Sequence, residues 1–509
     1  MSENATKHVS KLAEMIDTAT DKKDINVLNQ AIELAKELYE SSDESYVRAY
    51  IAFCRANAHS VIRKICIADD SARNWDWDSK DLKKEVYWLR VALKNLRQMH
   101  HEPMQDDLKL RVLTNLASAL NHIGRFSEAV EYWDEAISIM PTFGMASANK
   151  GLGLFSYARA LYDGGHQTVF LWAARKSLNE GLSAGVEDHA ESEIQAVSDK
   201  ISNHPAFAEN DFKIDLDEYE LGKDEREQNY RFWCLSNRLF MNPLNDLGCH
   251  TIAARDVLTF PSISLPISDQ TPLVPEVYGI YNQLVQEYVS ARYIIYEALS
   301  ESESEEIHFS DRDVLLYDTL DYRVLQLWTE KLKMGYLSSY AIFDKIAYLL
   351  NYYLKLDINP NRVNFGSLWF KNCKPQQGIR EDLKNSENWP LRGLFSVSRD
   401  LYWNKDEEFP MEPEARVLYN IRNHVAHKYL TVHDSISSTI GNIGEQKSLC
   451  DLSLNLSSFE LEVASLKLLK LVRSAMIYLS LAANIHEQKN INDEDLYVST
   501  HLYPMGDQR

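Results

Sequence analysis

Cysteine, glycine and proline are all scarce in this chain, at 6, 18 and 14 of 509 residues. The six cysteines (Cys54, Cys66, Cys234, Cys249, Cys373 and Cys450) are scattered, and no two form a Cys-x-x-Cys pair. A disulfide framework, a zinc ribbon and a thioredoxin-type site are therefore excluded, and a reducing cytoplasm is the expected location. So few glycines and prolines leave too few breaks for many short strands. Long apolar runs are missing too. The greasiest stretch, Leu468 to Ile485, carries Lys470 and Arg473 and falls short of a clean bilayer span. The opening MSENATKHVSK has no apolar stretch of a signal peptide, so no membrane partner is expected. Basic charge is in deficit, with 54 Lys+Arg against 75 Asp+Glu and a net charge of −21. That argues against coating nucleic acid with the whole surface, yet leaves room for a small basic cleft.

Several chemical signatures are also missing. There is no phosphate-loop pattern, no Gly-x-Gly-x-x-Gly, no His-Glu-x-x-His and no Gly-x-Ser-x-Gly. The carboxylate pairs Asp76/Asp78 and Asp215/Asp217 lack the glycine-bearing turns that a nucleotidyltransferase or calcium site needs. Cys249-His250 reads as core rather than ligand. No metal and no cofactor are expected.

What the chain has is helical periodicity. Its 45% apolar and 25% charged residues are those of an ordinary soluble protein. Apolar positions recur at helical spacing almost throughout, so the fold class is all-α. After an N-terminal segment (1–24), helices are expected at 25–40, 45–66, 82–100, 106–123, 126–140, 143–163, 167–183 and 187–203. Within 25–205, Leu113-x2-Leu116-Ala117-x2-Leu120, Gly124, Phe126, Ala129, Trp133, Ala136 and Pro141 fit the 34-residue tetratricopeptide pattern. Small Ala117 and Ala129 let two helices approach, Gly124 permits the turn, Trp133 fills the seam and Pro141 ends the unit. A lone repeat cannot bury its own face, so this region reads as a tetratricopeptide-like helical solenoid.

Residues 206–276 read as a connector packed against both domains, with Arg231 and Arg238 set among aromatics. A second bundle is expected over 277–490, with helices at 277–300, 311–334, 336–356, 390–403, 412–430 and 456–487. The acidic run 300–313 reads as a solvated loop, and 491–509 as a tail.

One stretch carries chemistry: EPEARVLYNIRNHVAHKYLTVH, 412–433. Pro413 suits a first helical turn, with Glu412 and Glu414 favourably placed for the macrodipole. At about 100° per residue, Val417, Leu418, Ile421, Val425 and Tyr429 share one face, the packing face. Arg422, Asn423, Ala426, Tyr419, Arg416 and His427 fall on the remaining arc. Asn423 and His427 are four apart and can meet. Arg422 and His427 sit roughly 140° apart around the axis, so they converge more easily if a second copy of the helix faces the first. His424 points nearly opposite Arg422 and is left out of the site.

Arg422-Asn423-His424-Val425-Ala426-His427 resembles the Arg-x4-6-His motif of the HEPN superfamily, and Tyr429 extends it to Arg-x4-His-x-Tyr. The likeness covers about 277–490, but its specific part is eight residues. It implies a HEPN-type helical bundle and metal-independent RNA cleavage in a homodimer or higher even oligomer, with Arg422 and His427 catalytic and no role for DNA. Asn423 is then placed to orient His427 or to bond a phosphate oxygen. Tyr429 binds RNA, takes a modification as in the paired toxins, or simply packs. Arg416, Lys428, Lys467, Lys470 and Arg473 are candidates for a phosphate track. The repeats are expected to bind a protein or peptide ligand, and an antitoxin or regulator fits a toxin or anti-phage defence effector. The other reading is a non-catalytic scaffold that dimerises through its HEPN bundle and binds partners.

Overall fold

A computed structural model describes residues 3–99, 104–207, 215–266, 276–304, 306–402, 411–434, 453–490 and 497–499. The chain begins with α1 (Glu3–Lys22), α2 (Ile25–Glu40), α3 (Ser45–Asp69), α4 (Lys80–Arg97) and α5 (Met104–His122). It continues through α6 (Phe126–Ile139), α7 (Gly144–Ala160), α8 (Gly164–Ala184), α9 (Asp188–Ser202) and α10 (Glu225–Ser236). Then come β1 (Ser264–Pro266), α11 (Glu276–Ser302), α12 (Leu327–Tyr353), α13 (Glu381–Lys384), α14 (Trp389–Leu401) and α15 (Ala415–His427). β2 (Tyr429–His433), β3 (Ser453–Ser457), α16 (Ser458–Asn490) and β4 (Tyr497–Ser499) complete it. The protein is all-α, as its periodicity requires. Cys450, most of the 491–509 tail and parts of the 206–276 connector lie outside the described residues.

The chain divides into two units, 1–214 with 378–415, and 215–377 with 416–509. In the first, every helix from α1 to α9 packs on the next, and α1, α3, α5, α7 and α9 also touch in succession. This is a row of stacked helical hairpins. In the α5–α6 hairpin, Leu113, Leu116, Ala117, Leu120, Ala129, Trp133 and Ala136 are all buried. Gly124 takes φ +92° in the turn, a conformation that a side chain resists.

One expectation fails here. The helix read at 390–403 was assigned to the second bundle, but as α14 it belongs to the first unit. Residues Pro390 to Leu401 are all buried. Trp389 Nε1 donates to the Asn121 carbonyl at 2.7 Å, and Arg392 donates to the carbonyls of Asn74 and Asp76 at 3.0 Å each. The approach is close enough that a Cβ on Gly124 would lie 2.0 Å from the Trp389 carbonyl oxygen. At its end, buried Asp400 accepts from Arg90 at 3.0 Å and from Arg125. Burial pushes the Asp400 carboxyl up, but the fields of Arg125 and Arg90 outweigh it and hold it below the usual carboxylate value. Periodicity reports an apolar face but not which unit that face packs on.

In the second unit, α11, α12 and α16 pack on one another. Helices expected at 311–334 and 336–356 are replaced by one, α12, which runs through Gly335. A side chain at that position would clash with α11, since a Cβ there would sit 2.5 Å from Ile295 Cγ1. Residues 311–326 are not helical. Their aspartates bond nearby backbone instead: Asp318 accepts from the Leu320 N–H at 2.8 Å, and Asp311 from the Leu327 N–H at 2.7 Å. β2 and β3 pair in parallel, Tyr429 with Ser453 through His433 with Ser457. β1 and β4 pair antiparallel, with Ser264 opposite Ser499. α16 is long and apolar enough to cross a membrane by composition, contrary to the sequence estimate. Even so, 89% of its most apolar window is buried inside the protein, as for a core helix.

Candidate active site

α15 is fixed through its apolar side. Leu418 and Ile421 are buried, while Val417 and Val425 are half-buried. The buried Tyr336 hydroxyl of α12 donates to the Leu418 carbonyl at 2.8 Å. This leaves Arg422 half-buried and His427, the last residue of α15, exposed. Arg422 Nη1 donates to Asn423 Oδ1 at 2.9 Å, and its guanidinium carbon lies 5.7 Å from the Tyr340 ring centroid. A guanidinium stacked on an aromatic ring is held in place without losing charge. Among the described residues no carboxylate pairs with Arg422.

His427 makes no hydrogen bond among the described residues. The expected Asn423–His427 contact does not form, since Asn423 turns its oxygen to Arg422. His424 has its Nδ1 2.8 Å from the Asn420 carbonyl, which fixes a proton on that nitrogen and keeps this ring out of the site.

The family model described as LA2681-like HEPN matches residues 268–486. These residues form a HEPN domain. No curated protein and no solved structure is found to match the chain. The matched stretch includes α13 and α14, so the HEPN sequence extends into the first structural unit.

Tyr429 was expected on the motif helix. It instead opens β2, because Tyr-Leu-Thr-Val-His is a strand-forming run with Leu430, Thr431 and Val432 buried. The Tyr429 hydroxyl accepts from Arg323 Nη1, and the Arg323 guanidinium carbon lies 5.5 Å from its ring centroid. Arg323, ion-paired with Asp321, is thereby tied to the tyrosine that ends the motif, a placement that a helix over 311–334 does not predict. The segment that carries it is pinned by the Val324 N–H to Val432 carbonyl bond at 2.9 Å and by His433 Nδ1 at 2.8 Å from the Asp321 carbonyl. Burial raises the Asp321 carboxyl, but the hydrogen bonds from Thr319 and Arg323 and the nearby positive charge together hold it below its ordinary value.

The phosphate-track candidates separate. Arg416 and Lys428 are exposed on and just after α15, and Lys467 and Lys470 are half-buried on α16. Arg473 is not available to RNA. It is buried, pairs with buried Asp246, and donates to the carbonyls of Phe240 and Asn242 at 2.7 and 2.8 Å. Period three on α16 placed it with the lysines, but the helix turns that position into the core.

Arg231 bonds Glu227 and the Ala254 carbonyl, which accounts for it without the HEPN motif. Cys249-His250 is not core. Cys249 is exposed, and His250 Nδ1 lies 3.3 Å from Asp217, whose carboxylate also caps the Thr251 N–H. Among the described residues no cluster of three His, Cys, Asp or Glu is poised for a metal ion.

Proposed function

We propose that the protein is a regulated, metal-independent endoribonuclease of HEPN type, a toxin or defence effector of the cytoplasm. It cleaves RNA at a composite site built from the Arg422/His427 helices of two copies. The observation that carries this reading is a motif arginine with no carboxylate partner among the described residues, five positions from an exposed histidine, within a HEPN domain. In this chemistry one His427 takes the proton of a ribose 2′-OH, and the 2′-oxygen attacks phosphorus. The bond to the 5′-oxygen breaks, and the other His427 returns a proton to that leaving oxygen. Arg422 stays charged throughout and offers a planar fork to the charge gathering on the phosphoryl oxygens. The products are a 2′,3′-cyclic phosphate and a 5′-hydroxyl. The need for a 2′-OH selects RNA over DNA. The stacked hairpins of the first unit supply a surface for a protein or peptide trigger, and an antitoxin or regulator keeps the nuclease quiet.

The test is incubation of full-length wild type, Arg422→Ala and His427→Ala with tRNA in excess EDTA, alongside induction of each in cells. Wild type is expected to cleave, or to arrest growth. Each variant is expected to lose about 10²–10⁴-fold in rate. Products with 5′-phosphates, or cleavage abolished by EDTA, would refute the mechanism. Three proteins behaving alike in both assays would favour the non-catalytic scaffold.

A further inference from the structure

The HEPN domain carries an exposed apolar segment that the mechanism above does not use. Residues 307–325 run from α11 toward α12 without regular structure, and Leu315, Tyr317, Leu320 and Tyr322 are 95%, 94%, 83% and 81% exposed. Chains seldom leave so many large apolar side chains in water unless something covers them. Leu320 and Tyr322 also sit at φ +56° and +55°, in the left-handed region that bulky side chains avoid. The segment is nonetheless tethered at both ends, by Asp311 to the start of α12 and by Val324 and Arg323 to β2 and Tyr429. It is a fixed crest beside the motif.

The chemistry of the crest selects its occupant. Residues 307–325 hold four aspartates (311, 313, 318 and 321) against Arg312 and Arg323. An acidic surface repels phosphate, so an RNA platform is disfavoured. Residues 415–428 contain Arg416, Arg422 and Lys428 and no acid at all. The two surfaces are complementary and belong to the same chain, and a two-fold axis satisfies both at once. We propose that the 307–325 crest is a dimerisation arm, docking on α15 of a second copy and closing the composite cleft over both motifs. This deepens the nuclease reading and rests on it for the role of the cleft, although the docking itself does not require cleavage. The partner copy then covers the arm.

The test reads self-association of the full chain by sedimentation velocity, without any nuclease assay. Wild type is expected to dimerise at micromolar concentration, and Leu315→Asp with Tyr317→Asp to weaken this at least tenfold. Because both residues are almost fully exposed, the melting temperature of the isolated variant should not drop below that of a wild-type monomer. Asp313→Lys/Asp318→Lys and Arg416→Glu/Lys428→Glu are each expected to weaken dimerisation, and mixing the two proteins to restore it. A wild type that stays monomeric would overturn the proposal, as would a dimer indifferent to the arm or a mixture that fails to recover. Arm variants that lose oligouridylate binding while still dimerising would identify an RNA platform instead. If the arm governs the dimer while EDTA-resistant cleavage is absent, the docking stands and the nuclease reading falls.

Discussion

Arg323 donates to the hydroxyl of Tyr429, joining the crest before α12 to the first residue of β2, 106 positions later. The bond fixes the strand that leaves the motif helix two residues after His427. Tyr429→Phe removes the acceptor and keeps the ring. If the protein cleaves RNA, this variant is expected to lose about tenfold in single-turnover rate, the low end for a charge-assisted hydrogen bond in a part-exposed setting. Arg323→Ala should lose more, because it also breaks the ion pair with Asp321 that holds the segment beside β2. Equal rates for all three would mean that Tyr429 only packs.

Asp400 is the acid that two buried arginines share in the first unit. Asp400→Asn is expected to cost about 2–3 kcal/mol at neutral pH, since Arg90 and Arg125 lose a shared buried carboxylate and keep Glu412 and Glu128. The carboxyl is depressed in the folded protein, so its contribution is complete above the ordinary carboxylate range. It is lost as pH falls through the lower folded value. The gap between wild type and variant in urea melts should therefore narrow below about pH 4. A gap that is constant down to pH 2 would contradict the pairing.

Two glycines should respond oppositely to a methyl group. Gly124→Ala meets both a positive φ and the Trp389 carbonyl, and should cost about 2–4 kcal/mol. Gly164, at the first position of α8, has nothing within 4 Å. Gly164→Ala is expected to be neutral or stabilising by up to about 1 kcal/mol. Differential scanning calorimetry of the two variants separates these outcomes.

Arg473 distinguishes a fold role from an RNA role. Arg473→Ala should lower the melting temperature, the loss reflecting about 3–5 kcal/mol for a buried ion pair broken on one side. Lys467→Ala and Lys470→Ala should leave melting nearly unchanged. Any loss of RNA affinity at Arg473 should therefore track unfolding, and a fully folded variant with weakened RNA binding would reverse this assignment.

Helix positions were largely legible, because buried faces at period 3.6 write themselves into the residues: Ile25–Glu40 and Phe126–Ile139 begin where the sequence places them. The motif itself, Arg422 to His427, was legible as a resemblance, and the family match falls on it. What failed was information that periodicity does not hold. The boundary expected near 335 falls inside α12, where Gly335 is small for the sake of Ile295 on another helix. Tyr429 continues the helical stripe in projection, yet its strand-forming neighbours and a parallel partner at Ser453 take it out of the helix. Arg323 and α14 were misplaced for the same reason, since each is positioned by residues a hundred or more places away.

The return of 378–415 to the first unit has a consequence in time. Helices α1 to α9 of that unit are made before the second unit, but Asp400 and the buried face of α14 arrive roughly 200 residues after α9 is complete. At about 5–20 residues per second the nascent hairpins wait some 10–40 s for their last helix. During that wait Arg90 and Arg125 have no Asp400 to bind. α14 ends at Leu401 and Arg422 follows 21 residues later, so the helix that completes the first unit is made directly ahead of the motif.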